Sequence, residues 1–380
     1  MIHPHPIKKI GIIGGGQLAR MMIYRAKKMG FEFHVLEATR DCPAFSLADH
    51  FVLGSLQDPG AIRQLSQGVD VLTYDIEHIN VKALIDLEGE GVTVQPSPRM
   101  LQTIQNKFLQ KQVYQQAGLS TAPFRLMKEA DWQSLDPTEF PLVQKACHGG
   151  YDGRGVKILR NFEDLKDKLE GESFVEELVP FEKELGVMVA RGQDGQIMTY
   201  PVVEMAFDPD LNICDEIHSP APIPDEIALR AQDMAEKAVI ALEGVGIFGV
   251  ELFLLPGGEI MINEIAPRPH NSGHHTMEAA AVCQFENHIR AVSGLPLGNP
   301  EPSRAAVMVN LLGKGIGAVH LENLDQALTF PGFSLHIYGK TECRPGRKMG
   351  HYTLVGEDLS TVLLQKSRIK PLFKVRGEKA

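Results

Sequence analysis

No apolar stretch in this chain approaches the roughly 18 residues that a membrane-crossing helix requires, and no long basic run offers counter-charge to a nucleic acid. Membrane-spanning and nucleic-acid-binding classes are therefore set aside. The five cysteines, Cys42, Cys147, Cys214, Cys283 and Cys343, are odd in number, widely spaced and form no C-x-x-C pair. That usage argues against a disulfide framework and for a reducing compartment. Cys147 adjoins a glycine-rich segment but reads as a small filler rather than a nucleophile. The amino terminus has no signal-peptide layout, so a cytoplasmic location is expected. Internal repeats and low-complexity segments are also missing. What remains is an ordinary globular composition of 380 residues, 43% hydrophobic, enough for two or three domains. With a formal charge of −10, an anionic ligand must be met by a local cluster of basic side chains.

Carboxylates in apolar strands are the most informative thing the chain does contain. Residues 249–276 read GVELFLLPGGEIMINEIAPRPHNSGHHT, with Glu251 and Glu264 in short apolar runs on either side of a Pro-Gly-Gly turn. This is the pattern of a β-hairpin. A lone carboxylate on a strand is ordinarily a solvated face. Two of them, with Asn263 beside one, instead suggest oxygen ligands for a hard cation, most simply Mg²⁺ with Mn²⁺ as an alternative, because a buried carboxylate without a partner is costly. The following Arg268, His270 and Asn271 add anion-binding and hydrogen-bonding groups within one turn, which points to phosphate chemistry on a metal. His270 and His274 stand four apart as in helical zinc sites, but Pro269 and Gly273 oppose a helix there, so zinc is not expected on them.

The chain opens as a βαβ unit: an apolar strand, the turn Gly14-GGQLAR, an amphipathic helix and a second strand, FEFHVLE, ending at Glu37. Gly14, Gly16 and Ala19 match a dinucleotide fingerprint, with Glu37 where a ribose-binding acid would stand. An NAD-dependent oxidoreductase is thus one reading, although the same turn can cradle any phosphate at a helix amino terminus. A further strand from about Val69 brings Asp75 and Glu77 to its carboxyl end, where open α/β sheets place their sites. Ser97 and Pro98 start a helical pattern that runs to about Gly118, with Lys107 midway. Residues 123–187 read as a smaller α+β flap containing a strand that ends near Lys145, a glycine loop, a strand from Val156 and the acidic strand end Glu176-Glu177-Leu178-Val179. Helices are expected from about Asp225 to Leu242 and from about Thr276 to Ser293. Residues 295–300 read as a linker before a last unit of short strands.

The loop Gly149-GYDGRGV has four glycines in seven positions, so its backbone can approach phosphate oxygens and present N–H groups to them. Led by Lys145 and combined with Glu176 to Val179, Glu251 and Asn263-Glu264, it resembles the ATP-grasp superfamily, in which two α+β units close on ATP. The wider set Gly14-GGQLAR, Thr73-YDIE, Gly149-GYDGRG, Asn263-EIAPRPHNSGHHT and Arg344-PGRKMGH looks like the signatures of the 5-(carboxyamino)imidazole ribonucleotide synthases of purine biosynthesis. The resemblance implies an α/β protein: an amino-terminal Rossmann-like parallel-sheet domain (residues 1–100), an ATP-grasp α+β fold (101–298) and a small carboxyl-terminal β-rich domain (299–380).

The same resemblance implies ATP-dependent carboxylation of the exocyclic amine of 5-aminoimidazole ribonucleotide by bicarbonate, through carboxyphosphate, in a homodimer. Glu251 and Glu264 would hold Mg²⁺. ATP would be lined by Lys107, Lys145, Gly150, Tyr151, Asp152, Gly153, Arg154, Gly155, Val156, Glu176, Glu177, Leu178, Val179, Asn263 and Glu264, with Glu184 on the ribose. Arg268, His270, Asn271 and Lys348 would hold bicarbonate and carboxyphosphate. Tyr151, Asp152 and Arg154 would stand at the reacting groups, Asp152 orienting or deprotonating the amine. The ribonucleotide phosphate would rest on Gly16, Gln17 and Leu18 with Lys340 and Arg347, and Glu77 would take the ribose hydroxyls. Two departures stand out. Asp75 occupies a position where many relatives carry Glu, and Val203-EMAFDPDLN lacks the Glu-Asn-x-His form of many members, with His218 either standing in for that histidine or, as its surroundings read, a solvated loop histidine. The alternatives are another ATP-grasp ligase such as the formate-dependent glycinamide ribonucleotide transformylase, the oxidoreductase above, and a non-catalytic nucleotide sensor.

Overall fold

Strand Lys9–Ile13 is apolar at each buried position because both of its faces are covered, as parallel strands require. The computed structural model describes residues 9–150, 155–208 and 213–378. In them this strand pairs in parallel with Glu32–Glu37 on one side and Val71–Tyr74 on the other, and His50–Leu53 completes a four-stranded sheet. Ile10 and Ile12 pack under helix Gln17–Ala26, while Ile13 faces the opposite layer with Ile62, Leu65 and Leu84. The unit is not isolated. Met277, Phe285, Ile289 and Tyr338 from later in the chain complete the first of these cores, and Thr73 Oγ1 meets the buried His288 Nε2 at 2.8 Å.

A nine-stranded antiparallel sheet carries the middle of the molecule. Its order runs Ile260–Ala266, Gly246–Leu254, Lys183–Arg191, Val203–Asp208, Ile213–Ser219, Ala305–Leu312, Lys348–Gly356, Phe333–Ile337, with Ile197–Thr199 beside Lys183–Arg191. Helix Asp225–Ala241 lays Ala231, Ala235, Ala238 and Val239 on it, a stripe at helical spacing. The flap is a separate four-stranded sheet in the order Phe124–Met127, Ser173–Glu177, Leu142–Ala146, Val156–Leu159. It has its own core around Trp132 and is tied to helix Lys107–Gln116 by Phe108, whose ring lies 5.4 Å from Phe124 and 5.9 Å from Phe174.

Three elements differ from the sequence expectation. The helix expected over 97–118 is two helices, Pro98–Gln105 and Lys107–Gln116, because Asn106 turns extended and caps the second through its Oδ1 to the amides of Phe108 and Leu109. The helix expected over 276–293 likewise breaks into Thr276–Ala279 and Gln284–Val292, with Ala280 bridging to Pro302 between them. Residues 295–300 are no loose linker. Leu297 is buried, and Gly298 exchanges hydrogen bonds with the buried Asn287 at 2.7 and 2.9 Å. Among the described residues, no helix is long and apolar enough to cross a membrane.

Candidate active site

The acidic hairpin forms as the sequence indicates, with Gly257 and Gly258 both at positive φ in its turn. Glu251 and Glu264 are direct partners across it, and a bulge beyond them leaves Asn263 without an opposite number. Opposed residues of an antiparallel pair share a face, so both carboxylates point the same way. Glu251 also faces Gly186 and lies diagonal to Glu184 on the next strand, whose Phe253 partner stands two positions along. Three carboxylates thus converge on one surface of the sheet.

Charge in this cluster is unevenly shared. Lys107 Nζ lies 2.5 Å from Glu264 Oε2. Burial would raise the Glu264 carboxyl, but the Lys107 ammonium overrides it and holds it below the usual carboxylate range. Among the described residues Glu251 has no such partner. Its contacts to Asn263 Nδ2 and His270 Nε2 are both 3.5 Å long, and burial, then the Glu264 and Glu184 charges, push its carboxyl well above the usual range. Burial, with Glu264 adding to it against Lys145, raises Glu184 to about 7. An oxygen-only set that repels itself, in which Glu251 has only contacts of 3.5 Å to protein donors, fits a hard divalent cation.

The flap contributes from above. Lys145, at the end of Leu142–Ala146, donates to Asn263 Oδ1 at 3.0 Å and pairs with Glu176 at 2.8 Å. Glu176 is 3% exposed and is shared with Lys111 at 2.5 Å. Sequence reasoning passed over Lys111. Its spacing of four from Lys107 was the available signal, since that places both lysines on one helix face. Of the neighbours, Glu177 and Leu178 point to solvent, Val179 is half-buried and Val156 is 38% exposed. Gly155 accepts from the Ala146 amide at 2.9 Å, and both it and Gly149 take positive φ. Tyr151, Asp152, Gly153 and Arg154 lie outside the described residues. Cys147 is fully buried, and burial pushes its thiol up to about 11, the behaviour of a filler.

Beyond the hairpin the chain turns through the basic segment. Arg268 Nε lies 2.9 Å from Glu77 Oε1, so the acid at the end of the amino-terminal sheet is joined to the anion-binding run. His270 Nδ1 meets Ser272 Oγ at 2.8 Å, which leaves Nε2 toward Glu251. Residues 271–273 form a single 3-10 turn rather than the helix a zinc motif would need. Asn271 and Asn310 exchange amide hydrogen bonds at 2.9 and 2.8 Å, and Asn310 is the second residue the sequence reading missed. A polar residue in the strand AAVMVNLL was its signal. Lys348 opens strand Lys348–Gly356 and is within electrostatic reach of Glu251. His218 is no solvated loop residue: it is 14% exposed on strand Ile213–Ser219, with Nε2 2.9 Å from Glu216.

The glycine turn has an unexpected tenant. Asp75 Oδ2 accepts from the amides of Gly16 at 2.7 Å and Ala19 at 3.3 Å, and Glu37 Oε2 accepts from Gly15 at 3.0 Å. Protein carboxylates therefore occupy the helix terminus where a dinucleotide pyrophosphate would sit, and Glu37 is turned away from a ribose-binding role. The Gly16 amide is committed to Asp75. Leu18 is buried, so that of its groups only the backbone faces the turn, and Gln17 is the side chain best placed for a ligand. Lys340 and Arg347 arrive from the carboxyl-terminal unit. Lys340 donates to the Lys348 carbonyl at 2.7 Å and Arg347 to the Glu342 carbonyl at 2.7 Å, while Thr341 reaches Asp41 at 2.9 Å and ties that segment to the amino-terminal unit.

Asp75 carries a stability prediction. Burial, reinforced by Glu37 and opposed by the Ala19 and Gly16 amides, raises its carboxyl to about 7. A folded value above the unfolded one means the folded state favours the proton, so this contribution is present below about pH 4 and lost as pH climbs through about 7. Asp75→Asn keeps an acceptor oxygen without the charge. It should flatten the urea-midpoint profile between about pH 4 and 8 and gain about 1–3 kcal/mol over the parent at the upper end. A variant that loses stability at pH 8 would mean that the amides hold Asp75 ionised.

Two α+β units that meet over a two-carboxylate hairpin, with a lysine from each side, define an ATP-grasp enzyme, and residues 112–285 match the ATP-grasp domain model. Residues 7–105 match the ribonucleotide synthetase preATP-grasp domain, and 306–365 the phosphoribosylaminoimidazole carboxylase C-terminal domain. An N5-carboxyaminoimidazole ribonucleotide synthetase from Thermotoga maritima is 48% identical and superposes with a TM-score of 0.90 over 98% of this chain and 100% of that one. An N5-carboxyaminoimidazole synthase from Aspergillus clavatus, solved in complex with ADP and 5-aminoimidazole ribonucleotide, is 33% identical with a TM-score of 0.87 over 97% and 98% of the two chains. The phosphoribosylaminoimidazole carboxylase of Vigna aconitifolia is 40% identical over 93% of this chain, which spans 65% of that protein's length. The chain belongs to the N5-carboxyaminoimidazole ribonucleotide synthase family of ATP-grasp ligases.

Proposed function

We propose that this protein uses ATP and bicarbonate to carboxylate the exocyclic amine of 5-aminoimidazole ribonucleotide, giving 5-(carboxyamino)imidazole ribonucleotide, ADP and phosphate. The observation that carries the reading is the Glu251–Glu264 pair, flanked on one side by Lys107 and Lys145 and on the other by Arg268, His270 and Asn271. Mg²⁺ held by Glu251 and Glu264 would neutralise charge on the phosphates during transfer. Lys107 and Lys145 orient the phosphate tail, Lys145 from the end of the flap strand Leu142–Ala146. Arg268, His270, Asn271 and Lys348 hold the small planar bicarbonate so that one of its oxygens faces the γ-phosphorus. That oxygen forms the new P–O bond as the bond to ADP breaks. The amine then forms its N–C bond to the carboxyl carbon, phosphate leaves with the former bicarbonate oxygen, and the amine gives up a proton. A cytoplasmic homodimer completes the proposal; five free cysteines suit that compartment.

Oxygen transfer tests the chemistry. With ¹⁸O-labelled bicarbonate, Mg²⁺ and 5-aminoimidazole ribonucleotide, label is expected in the released phosphate, and ATP turnover should need all three. Phosphate that carries solvent oxygen alone would reduce the activity to hydrolysis.

Substrate placement has its own test. Gln17→Ala should raise KM for 5-aminoimidazole ribonucleotide by about tenfold, the worth of one hydrogen bond to a charged group, with kcat and KM for ATP nearly unchanged. An effect confined to ATP would put the wrong ligand on the glycine turn.

A further inference from the structure

A second set of ligand-type side chains gathers at the amino ends of the parallel strands, away from the Gly14–Gly16 turn and the acidic hairpin. Glu32 opens strand Glu32–Glu37, and His34, two residues on, shares its face. His50 opens the outermost strand, His50–Leu53, and is the direct register partner of His34. Glu32 Oε1 lies 2.8 Å from His34 Nε2 and 3.2 Å from His50 Nε2, and the two imidazole centroids are 4.4 Å apart. One ligand atom from each residue falls within 4.8 Å of the others. A tetrahedral ion with bonds of about 2.0–2.1 Å sets its ligands roughly 3.3 Å apart, so the two Glu32 contacts need to change by no more than about half an ångström, and the imidazole nitrogens, within 4.8 Å, close by rotation of the exposed His50 side chain.

We propose that Glu32, His34 and His50 form a zinc site. Two imidazoles and one carboxylate suit a borderline-soft ion, in contrast to the oxygen-only hairpin that suits a hard one. His34 is 12% exposed and Glu32 34%, while His50 is open at 62%, which leaves the fourth position to water. The backbone beneath the ligands is already fixed by the parallel ladder. Lys9 Nζ lies 3.4 Å from Glu32 Oε1 and is the competing cation; its half-exposed side chain can withdraw into solvent as the ion enters. The site sits at the opposite ends of the strands from Asp75 and the glycine turn, so its effect is structural: it clips the outermost strand to its neighbour rather than serving the reaction.

The experiment titrates metal-free, full-length protein with ZnCl₂ by calorimetry, with excess Mg²⁺ present to fill the acidic hairpin. His3 and His5 are replaced by Ala, because these histidines near the amino terminus would compete for metal. One equivalent should bind with a Kd on the order of 1 µM and raise the melting temperature by about 2–4 °C at about 100 µM zinc. His50→Ala and Glu32→Gln should each weaken binding at least about tenfold and abolish the thermal shift while leaving Mg·ATP turnover at the parent rate. His50 is exposed, so its variant should fold. Zinc binding of equal affinity in both variants, or none in the parent at about 100 µM, would overturn the assignment.

Discussion

Glu264→Gln should lower ATP turnover by at least about 10², roughly 2.7 kcal/mol of transition-state stabilisation, while the protein remains folded. The substitution keeps size and shape but removes the charge that faces Glu251 across the hairpin and neutralises Lys107 at 2.5 Å. It also relieves the repulsion that holds the Glu251 carboxyl high. A single strong carboxylate would remain in place of a pair, and the apparent affinity for Mg²⁺ should fall together with kcat. Steady-state rates over a range of free Mg²⁺, with a thermal melt as the folding control, decide the point. Normal turnover at ordinary Mg²⁺ would show that Glu264 is merely a strand carboxylate neutralised by a lysine, and the metal assignment would go with it.

Glu176→Ala should destabilise the flap by about 3–5 kcal/mol, the cost of stripping the partner from a buried ion pair. Glu176 is 3% exposed and serves two lysines, and Lys111 is already pushed down to about 8 by burial, which the Glu176 charge only partly offsets. Among the described residues, no other carboxylate lies at salt-bridge distance from either ammonium. The readout is built in, because the chain has a single tryptophan and Trp132 lies in the flap core with Val175 of the same strand as Glu176. Denaturant titration followed by its fluorescence should show a large loss for Glu176→Ala. The solvent-facing neighbour Glu177→Ala should move stability by no more than about 0.5 kcal/mol. Equal effects at the two positions would mean that the triad contributes nothing beyond a surface pair.

What the sequence disclosed and what it hid divide along the reach of the interactions. The acidic hairpin was readable because each of its signals is local: an acid inside an apolar run, a turn of proline and two glycines, and the partnering that a short turn enforces. The strand that ends near Lys145 was readable for the same reason. Lys111 was not, since KFLQKQVYQQ gives it the look of a solvated helix face until Glu176 arrives from a strand far along the chain. Asp75 was placed at the right strand end, but its grip on the Gly16 and Ala19 amides depends on how closely two parallel strands bring their carboxyl ends together. The helix break at Asn106 had a local signal, a capping residue within the pattern, and was overridden by the longer apolar periodicity around it. His218 shows the reverse failure. Its surroundings read as loop, yet the strand that bears it lies between two others and buries it beside Glu216.

The sheet that runs unbroken from Ile260–Ala266 to Phe333–Ile337 has a consequence for how the chain can be cut. Residues Glu216 to Ser219 hydrogen-bond to Ala306 to Val309, so the family-model boundary between 285 and 306 falls in the middle of a single ladder. A fragment that stops near residue 300 would carry every ligand of the hairpin and still present Ile213–Ser219 as a bare, partly apolar margin with a row of unanswered amides and carbonyls. Such a margin recruits another copy of itself. Stretches that match two separate domain models are here strands of one continuous ladder, and a cut between them bares an edge inside the sheet.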